Sequence, residues 1–308
     1  MNRQHRTAFP TPPSGDKPDT MNLQNVIARR FEPAVQSYDW RDSALYALGL
    51  GMGSDPLDED ELLYVYEGRE QSAVPSQCMV LGWPAFWHAD PATGIDWVRI
   101  LHGEMRFELH RPLPLAGTVR ASYGVRAVVD KGVGRGALIH FDTELADART
   151  GEALASLRSI EFLRGDGGCG SHGTAPAGAP ALAEGAVPSA SIDYRTASQA
   201  ALFYRLASRD YMPIHADPEV AHRAGFERPI SHGLNTMGLA CRALIKHCSP
   251  RRPERLRSMS VRFAQPAYPG DTIRIELFGQ GDTVRFRALA VERGVTVLDR
   301  GECRFTDR

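Results

Sequence analysis

From residue 104 onward, apolar and polar positions alternate with a period of two. Met105, Phe107 and Leu109 are separated by Arg106 and Glu108, so a strand here turns one face to a core and the other to solvent. A Pro-Leu-Pro-Leu-Ala-Gly turn over 112–117 ends the run. Long strand-like stretches continue at 118–129, 136–146 and 153–163, separated by Asp130-Lys131-Gly132 and Arg149-Thr150-Gly151. Those separators have tight-turn chemistry, and strands of this length predict one curved antiparallel sheet. The alternation returns at 259–263, 272–278, 284–291 and 296–305. There Ile273, Ile275 and Leu277 flank Arg274 and Glu276, and Val284, Phe286 and Ala288 flank Arg285 and Arg287.

Before the first alternating run the pattern is different. Residues 39–49 read as a capped amphipathic helix, with Asp39 and Asp42 at its start and Gly49 at its end. The acidic stretch 54–61 reads as a solvated loop. Residues 65–100, rich in Trp, Pro and Gly, have no clean period and are expected to be irregular with short helical pieces. Trp83, Trp87 and Trp97 fall here; such residues either wall an apolar pocket or, more often, fill a core.

Residues 165–190 are dominated by Gly, Ala, Pro and Ser, the composition of a linker and the best domain boundary in the chain. The half after this linker repeats the plan of the half before it: helical pieces, a strand, a Pro/Gly turn and further alternating strands. Met105-Arg106-Phe107 before Pro114 and Gly117 matches Val261-Arg262-Phe263 before Pro269 and Gly270, roughly 150 residues on. That is the mark of a tandem duplication.

Composition narrows the class. The chain has 308 residues, a formal net charge of −1 and five cysteines without CxxC spacing. Nothing favours nucleic-acid or membrane partners, and no apolar run approaches the roughly 20 residues of a membrane span. An odd number of scattered cysteines argues against a disulfide framework and suits a reducing cytoplasm. Residues 1–21, with Pro10, Pro12, Pro13 and Pro18, are expected to form a disordered extension. The C-terminal Thr306-Asp307-Arg308 is no peroxisomal tripeptide.

Candidate chemistry lies in 203–238, FYRLASRDYMPIHADPEVAHRAGFERPISHGLNTMG. Asp210 and His215 are five residues apart with Pro213 between them, which disfavours a regular helix and places the pair on a fixed loop. Asp217-Pro218-Glu219 is a helix start, leaving Asp217 with a capping job. His222 then falls on an exposed helix face. His232-Gly233 opens a second, apolar helix whose stripe of Leu234, Met237, Cys241, Leu244 and Cys248 makes Cys241 a core residue rather than a nucleophile. Two titratable groups beside a helix-terminal glycine can move a proton next to a developing oxyanion. The loop has no counterpart in the first half. A metal site on Asp210, His215, Asp217 and His232 matches no familiar ligand spacing. Nucleophile elbows, P-loops and dinucleotide fingerprints are absent. The basic run 251–257 reads as a solvated turn, or as a phosphate contact if the substrate carries phosphates.

These residues resemble the signature of the MaoC-like (R)-specific 2-enoyl-CoA hydratases, roughly Tyr-Arg-Leu-Ser-Gly-Asp-x-Asn-Pro-Leu/Ile-His-x-Asp-Pro, then Ala-Gly-Phe and Pro-Ile-x-His-Gly-Leu. Residues 38–49, Leu101-His102-Gly103-Glu104, Leu113-Pro114, Asp130-Lys131-Gly132 and 263–270 resemble further blocks of the two-repeat hydratase 2 group. The resemblance implies an α+β double hot-dog: two tandem repeats, at 22–164 and 191–308, whose antiparallel sheets wrap a central helix. It implies that Asp210 and His215 are the catalytic pair, that Gly233 offers its N–H to the thioester oxygen, and that Pro213, Phe226, Ser231 and His232 belong to the substrate site. The first repeat is expected to have lost the pair and to accommodate the acyl tail. No metal or other cofactor is implied, the CoA thioester being the substrate, and the expected assembly is a homodimer.

Two positions depart from the motif: Arg209 stands for its Gly and Met212 for its Asn. They leave open a related hydratase for branched or dicarboxylic acyl thioesters, or a weakly active acyl-CoA-binding relative.

Overall fold

The computed structural model describes residues 21–306. The expected N-terminal extension lies outside them except for Met21, which is buried in an apolar cluster with Val26, Trp87 and Ile95.

Ten strands form one continuous antiparallel sheet. The first repeat contributes β1 (Ala34–Tyr38), β2 (Ile100–Leu109), β3 (Gly117–Asp130), β4 (Ala137–Asp147) and β5 (Ala153–Leu163). The second contributes β6 (Ala190–Arg195), β7 (Leu256–Phe263), β8 (Thr272–Phe278), β9 (Thr283–Ala290) and β10 (Val295–Phe305). Their order is β1-β3-β4-β5-β2-β7-β10-β9-β8-β6, so each half reads identically outward from the middle. The seam is the antiparallel pair β2–β7, in which Met105 faces Val261, Glu104 faces Arg262 and Arg106 faces Ser260. Met105-Arg106-Phe107 and Val261-Arg262-Phe263 therefore sit at equivalent places about a local two-fold, and the duplication read from the sequence is the symmetry of the fold. This is the double hot-dog.

The helices share the same duplication unequally. After α1 (Leu23–Ile27), α2 (Trp40–Gly49) starts at Asp39, which accepts from the N–H groups of Arg41 and Asp42 while Asp42 returns a bond to the Asp39 N–H. Such a capping box stabilises the helix start by about 1 kcal/mol. The short α3 (Leu62–Val65) comes next. In the second repeat come α4 (Ala200–Ser208), α5 (Pro218–Arg223) and the long, almost wholly buried α6 (Gly233–Cys248). In the first repeat a six-residue, fully buried 3-10 turn at Pro75–Val80 packs against α6, among other short 3-10 pieces over 87–99. The central helix is thus long in one repeat and reduced to a turn in the other.

Two sequence readings need correction. β6 is a six-residue strand on the edge of the sheet, paired with β8, where the sequence pattern predicts helical pieces at the start of the second half. Glu61, read as part of a solvated loop, is buried and holds Arg242 of α6 in a two-pronged ion pair, with Nε–Oε1 at 2.6 Å and Nη2–Oε2 at 2.8 Å.

Candidate active site

The C-terminal end of α4 delivers the loop that carries Asp210 and His215. The helix ends on Arg209 in the left-handed region, φ 59°, a conformation that glycine adopts freely and arginine does not. The Gly of the motif resembled by this sequence is thereby explained as a backbone requirement. Beyond it the Asp210 N–H donates to Ser208 Oγ at 3.2 Å, and Asp210 Oδ1 accepts from the Met212 N–H at 3.1 Å. That last bond draws on the main chain of Met212 only, so it survives with Met in place of Asn. The Met212 side chain adds apolar wall, packing near Ile214, Ile230 and Tyr268.

Pro213 starts a 3-10 turn over Pro213–His215. It fixes the loop but does not line the cavity, unlike its expected neighbours Phe226, Ser231 and His232. His215 Nδ1 lies 2.9 Å from the Ile230 carbonyl; a carbonyl can only accept, so Nδ1 carries the proton and Nε2 keeps its lone pair. The His215 ring stacks on His232, centroids 3.8 Å apart and planes 27° apart. His232 in turn donates from Nε2 to the backbone carbonyl of Asp210 at 3.2 Å. Burial holds the pKa of both imidazoles below the ordinary histidine range against the opposing charge of Asp210, His232 down to about 3. Both rings are neutral at physiological pH.

Gly233 is the first residue of α6. His232 provides no side-chain cap, and the Gly233 N–H meets no acceptor among the described residues. An open N–H at a helix N-terminus, where the macrodipole is positive, is a ready oxyanion donor. A Cβ at this position would lie 3.0 Å from the Phe263 ring, so close packing also favours glycine here.

Asp210, His215, His232 and Gly233 all border one cavity of about 440 Å³, a usual size for a small-molecule site. Ligand-type atoms of Asp210, His215 and His232 lie within 4.8 Å of one another. Asp217, the fourth residue of the metal set considered from sequence, lies apart from them and caps α5 through the Glu219 and Val220 N–H groups. His222 is exposed and Cys241 fully buried, as the sequence indicated. The basic run is engaged structurally: Arg251 with Asp60, Arg252 with Glu254, Arg255 with the Thr306 carbonyl and Arg257 with Glu108. It is not on the cavity. Trp83 and Trp87 do wall the cavity, whereas Trp97 packs in the core beside it.

The first repeat adds residues that the sequence does not single out for the site: His88, His102, Thr143, Ser159 and Glu161. The His102 ring lies against Phe263, centroids 4.9 Å apart and planes tilted by 50°, and burial lowers its pKa. Its only sequence signal is its place in the Leu-His-Gly-Glu block.

Comparison with known proteins gives a consistent picture. Residues 181–300 match the MaoC like domain, and residues 36–165 match the MFE-2 hydratase 2 N-terminal domain. The chain is 33% identical over 291 residues to the peroxisomal enoyl-CoA hydratase 2 of Arabidopsis thaliana, covering 90% of this chain and 93% of that one. It is 32% identical to the peroxisomal multifunctional enzyme type 2 of Drosophila melanogaster, using 85% of this chain but only 45% of the longer protein. Among solved structures, a MaoC-like dehydratase from Phytophthora capsici superposes with a TM-score of 0.79 at 32% identity, covering 93% of this chain and 99% of its own.

Proposed function

The chain belongs to the MaoC-like enoyl-CoA hydratase 2 family, and on that premise we propose that it hydrates trans-2-enoyl-CoA to (R)-3-hydroxyacyl-CoA in fatty-acid metabolism, or runs the reverse dehydration. It is a hydro-lyase. The observation that carries the reading is the convergence of Asp210, the free Nε2 of His215 and the open Gly233 N–H on one apolar cavity.

The chemistry follows from these groups. A water held between the Asp210 carboxylate and His215 Nε2 loses a proton to that pair as its oxygen bonds to C3 of the enoyl group. The electron pair of the C2–C3 double bond moves onto the thioester, and the oxygen that gains charge lies against the Gly233 N–H. The proton then returns to C2, so product carries one whole water and the site is regenerated. Acid–base positioning of this kind is worth about 10²–10⁴-fold and an oxyanion donor about 10²–10³-fold. The steps described draw on no metal or other cofactor, and activity unchanged by a chelator is the corresponding expectation.

The test is loss of enoyl absorbance with a chain-length series of trans-2-enoyl-CoAs, followed by chiral analysis of the product. Asp210→Asn and His215→Ala should each lower kcat by about 10²–10⁴-fold; two variants at wild-type rate, or an (S) product, would overturn the assignment. For dicarboxylic acyl groups, Glu161 on the cavity wall is an opposing charge. The reading places the protein in the cytoplasm, in keeping with five free thiols, and no helix among the described residues is long and apolar enough to cross a membrane. It has the chain acting as a homodimer, for which exposed Leu202, Phe203 and Leu206 on α4 offer an apolar face; sedimentation at micromolar concentration measures this.

A further inference from the structure

The part of the cavity wall built by the first repeat is not uniformly apolar. On β5 the residues of one parity, Leu157, Ser159 and Glu161, border the cavity, while Ile160 and Phe162 occupy the other face. The strand's alternation is therefore inverted at its end: a hydroxyl and a carboxylate point where a core strand ordinarily places apolar groups. Across the sheet Ser159 faces Phe141 and Glu161 faces Ile139 on β4, and His102 on β2 is the direct neighbour of Glu161 on the other side. Thr143 of β4 also borders the cavity.

Glu161 is held in place. His88 Nε2 lies 2.7 Å from its Oε2, with the side chains only 10% and 16% exposed. The His88 ring is itself clamped against Trp87, centroids 4.1 Å apart. Burial is the largest single influence on the Glu161 carboxyl and pushes its pKa up. The attraction and hydrogen bond of His88, with the attraction of His102, together outweigh it and hold the group below the usual carboxylate range. His88 engages one carboxylate oxygen; Oε1 has no hydrogen-bond donor among the described residues. A fixed carboxylate with an oxygen that no group among the described residues uses is a ready acceptor for a donor that enters the cavity. The hydration chemistry above makes no use of this carboxylate.

We propose that Glu161, held by His88 and with Ser159 beside it on the same face of β5, is a subsite for a hydroxyl group on the acyl portion of the substrate, beyond the carbons that react. A hydroxyl supplies a donor to the unused oxygen, and Ser159 can serve its own lone pairs. An ammonium would also suit the carboxylate but brings a second charge to be desolvated in the same apolar space; a carboxylate-bearing chain would be repelled. The substrate class is then a hydroxylated 2-enoyl thioester. The turnover part of this inference rests on the hydratase reading; the binding part does not.

The experiment compares trans-2-decenoyl-CoA with counterparts hydroxylated at successive carbons from C6 to C10, on the wild-type chain and on Glu161→Leu and Glu161→Gln. A hydrogen bond to a charged acceptor corresponds to about 10–100-fold, so kcat/KM should favour the best-placed hydroxyl by that factor. Glu161→Leu should abolish the preference, and Glu161→Gln, which keeps a neutral acceptor, should retain part of it. A wild-type enzyme indifferent to hydroxylation at every position would overturn the proposal, as would a preference that survives Glu161→Leu; either means that only water occupies the carboxylate. If Glu161→Leu fails to fold, Glu161→Gln carries the comparison. Calorimetric binding of saturated decanoyl-CoA and its hydroxylated counterparts reads the subsite without turnover. Hydroxyl-selective binding without hydration of any substrate would sink the hydratase reading and leave the subsite standing.

Discussion

Glu61→Ala should be among the most damaging substitutions outside the cavity. Glu61 and Arg242 are almost completely buried, with side chains 3% and 7% exposed, and join in two charge-assisted hydrogen bonds. Arg242 also donates to the Leu50 carbonyl at 3.1 Å and lies 4.3 Å over the Tyr194 ring, and Glu61 accepts from the Gly53 N–H at 2.8 Å. Truncating the glutamate leaves a guanidinium without its counter-charge in a site that water does not reach. Breaking such a pair from one side costs about 3–5 kcal/mol, a large share of the roughly 5–15 kcal/mol typical of a folded domain. The exposed pair Arg252–Glu254 is the control: its side chains are 53% and 46% exposed, so Glu254→Ala should cost no more than about 1 kcal/mol. Urea unfolding monitored by tryptophan fluorescence measures both. Replacing both partners, Glu61→Leu with Arg242→Met, should cost clearly less than the sum of the two single changes, because no charge is stranded. If Glu61→Ala costs under about 1 kcal/mol, or the double change is simply additive, the burial argument is wrong.

The loop and the helix start beside it yield further expectations. Gly233→Pro removes the open N–H yet suits the first position of a helix, and His232, at φ −61° and ψ 132°, can precede a proline; kcat should fall about 10²–10³-fold. Gly233→Ala adds the same Cβ against Phe263 but keeps the N–H, so an equal loss in both variants would assign the effect to crowding instead. Arg209→Gly relieves the left-handed arginine and should stabilise the fold by about 0.5–1 kcal/mol, read as a shift in urea midpoint with an unchanged slope; no shift would mean that Arg209 has contacts that offset its strain. His215 and His232 have folded pKa values below their unfolded value of about 6.5, so the unfolded chain binds protons first. Their contribution to stability is complete above pH 6.5 and is lost as pH falls through the window towards about 3, where His232 titrates. Tm should decline between about pH 6.5 and 5, whereas the acid limb of kcat/KM follows the folded His215 and should be displaced below the ordinary histidine value; a flat Tm over that interval contradicts the neutral-imidazole assignment.

The strands, the first long helix and the duplication are legible in the sequence because each is local. Period-two alternation, a capping residue at Asp39 and a repeated strand-turn-strand need no knowledge of distant partners. The hidden features depend on distance or on a broken pattern. Glu61 sits in an acidic run and looks solvated until Arg242 arrives from far along the chain. β6 comes directly after a Pro- and Gly-rich segment, and its half-buried Ile192 and Tyr194 are too few to establish a period. In the site, Asp210 and His215 are visible through the proline between them and the helix starts just beyond. His88 and Glu161 are not, since an inverted strand end looks like a polar surface until the sheet shows which face borders the cavity. The departure at Arg209 finds its meaning only in a backbone angle.

The seam between β2 and β7 has a bearing on how this chain is held together. A ten-stranded sheet with no break at its centre makes the exposed linker over 174–188 dispensable for cohesion, since main-chain bonds and a shared apolar core already join the halves. A protease that nicks the linker should yield two fragments that elute as one particle and separate only in denaturant. Neither fragment alone would bury its seam strand, so the repeats are halves of one folding unit.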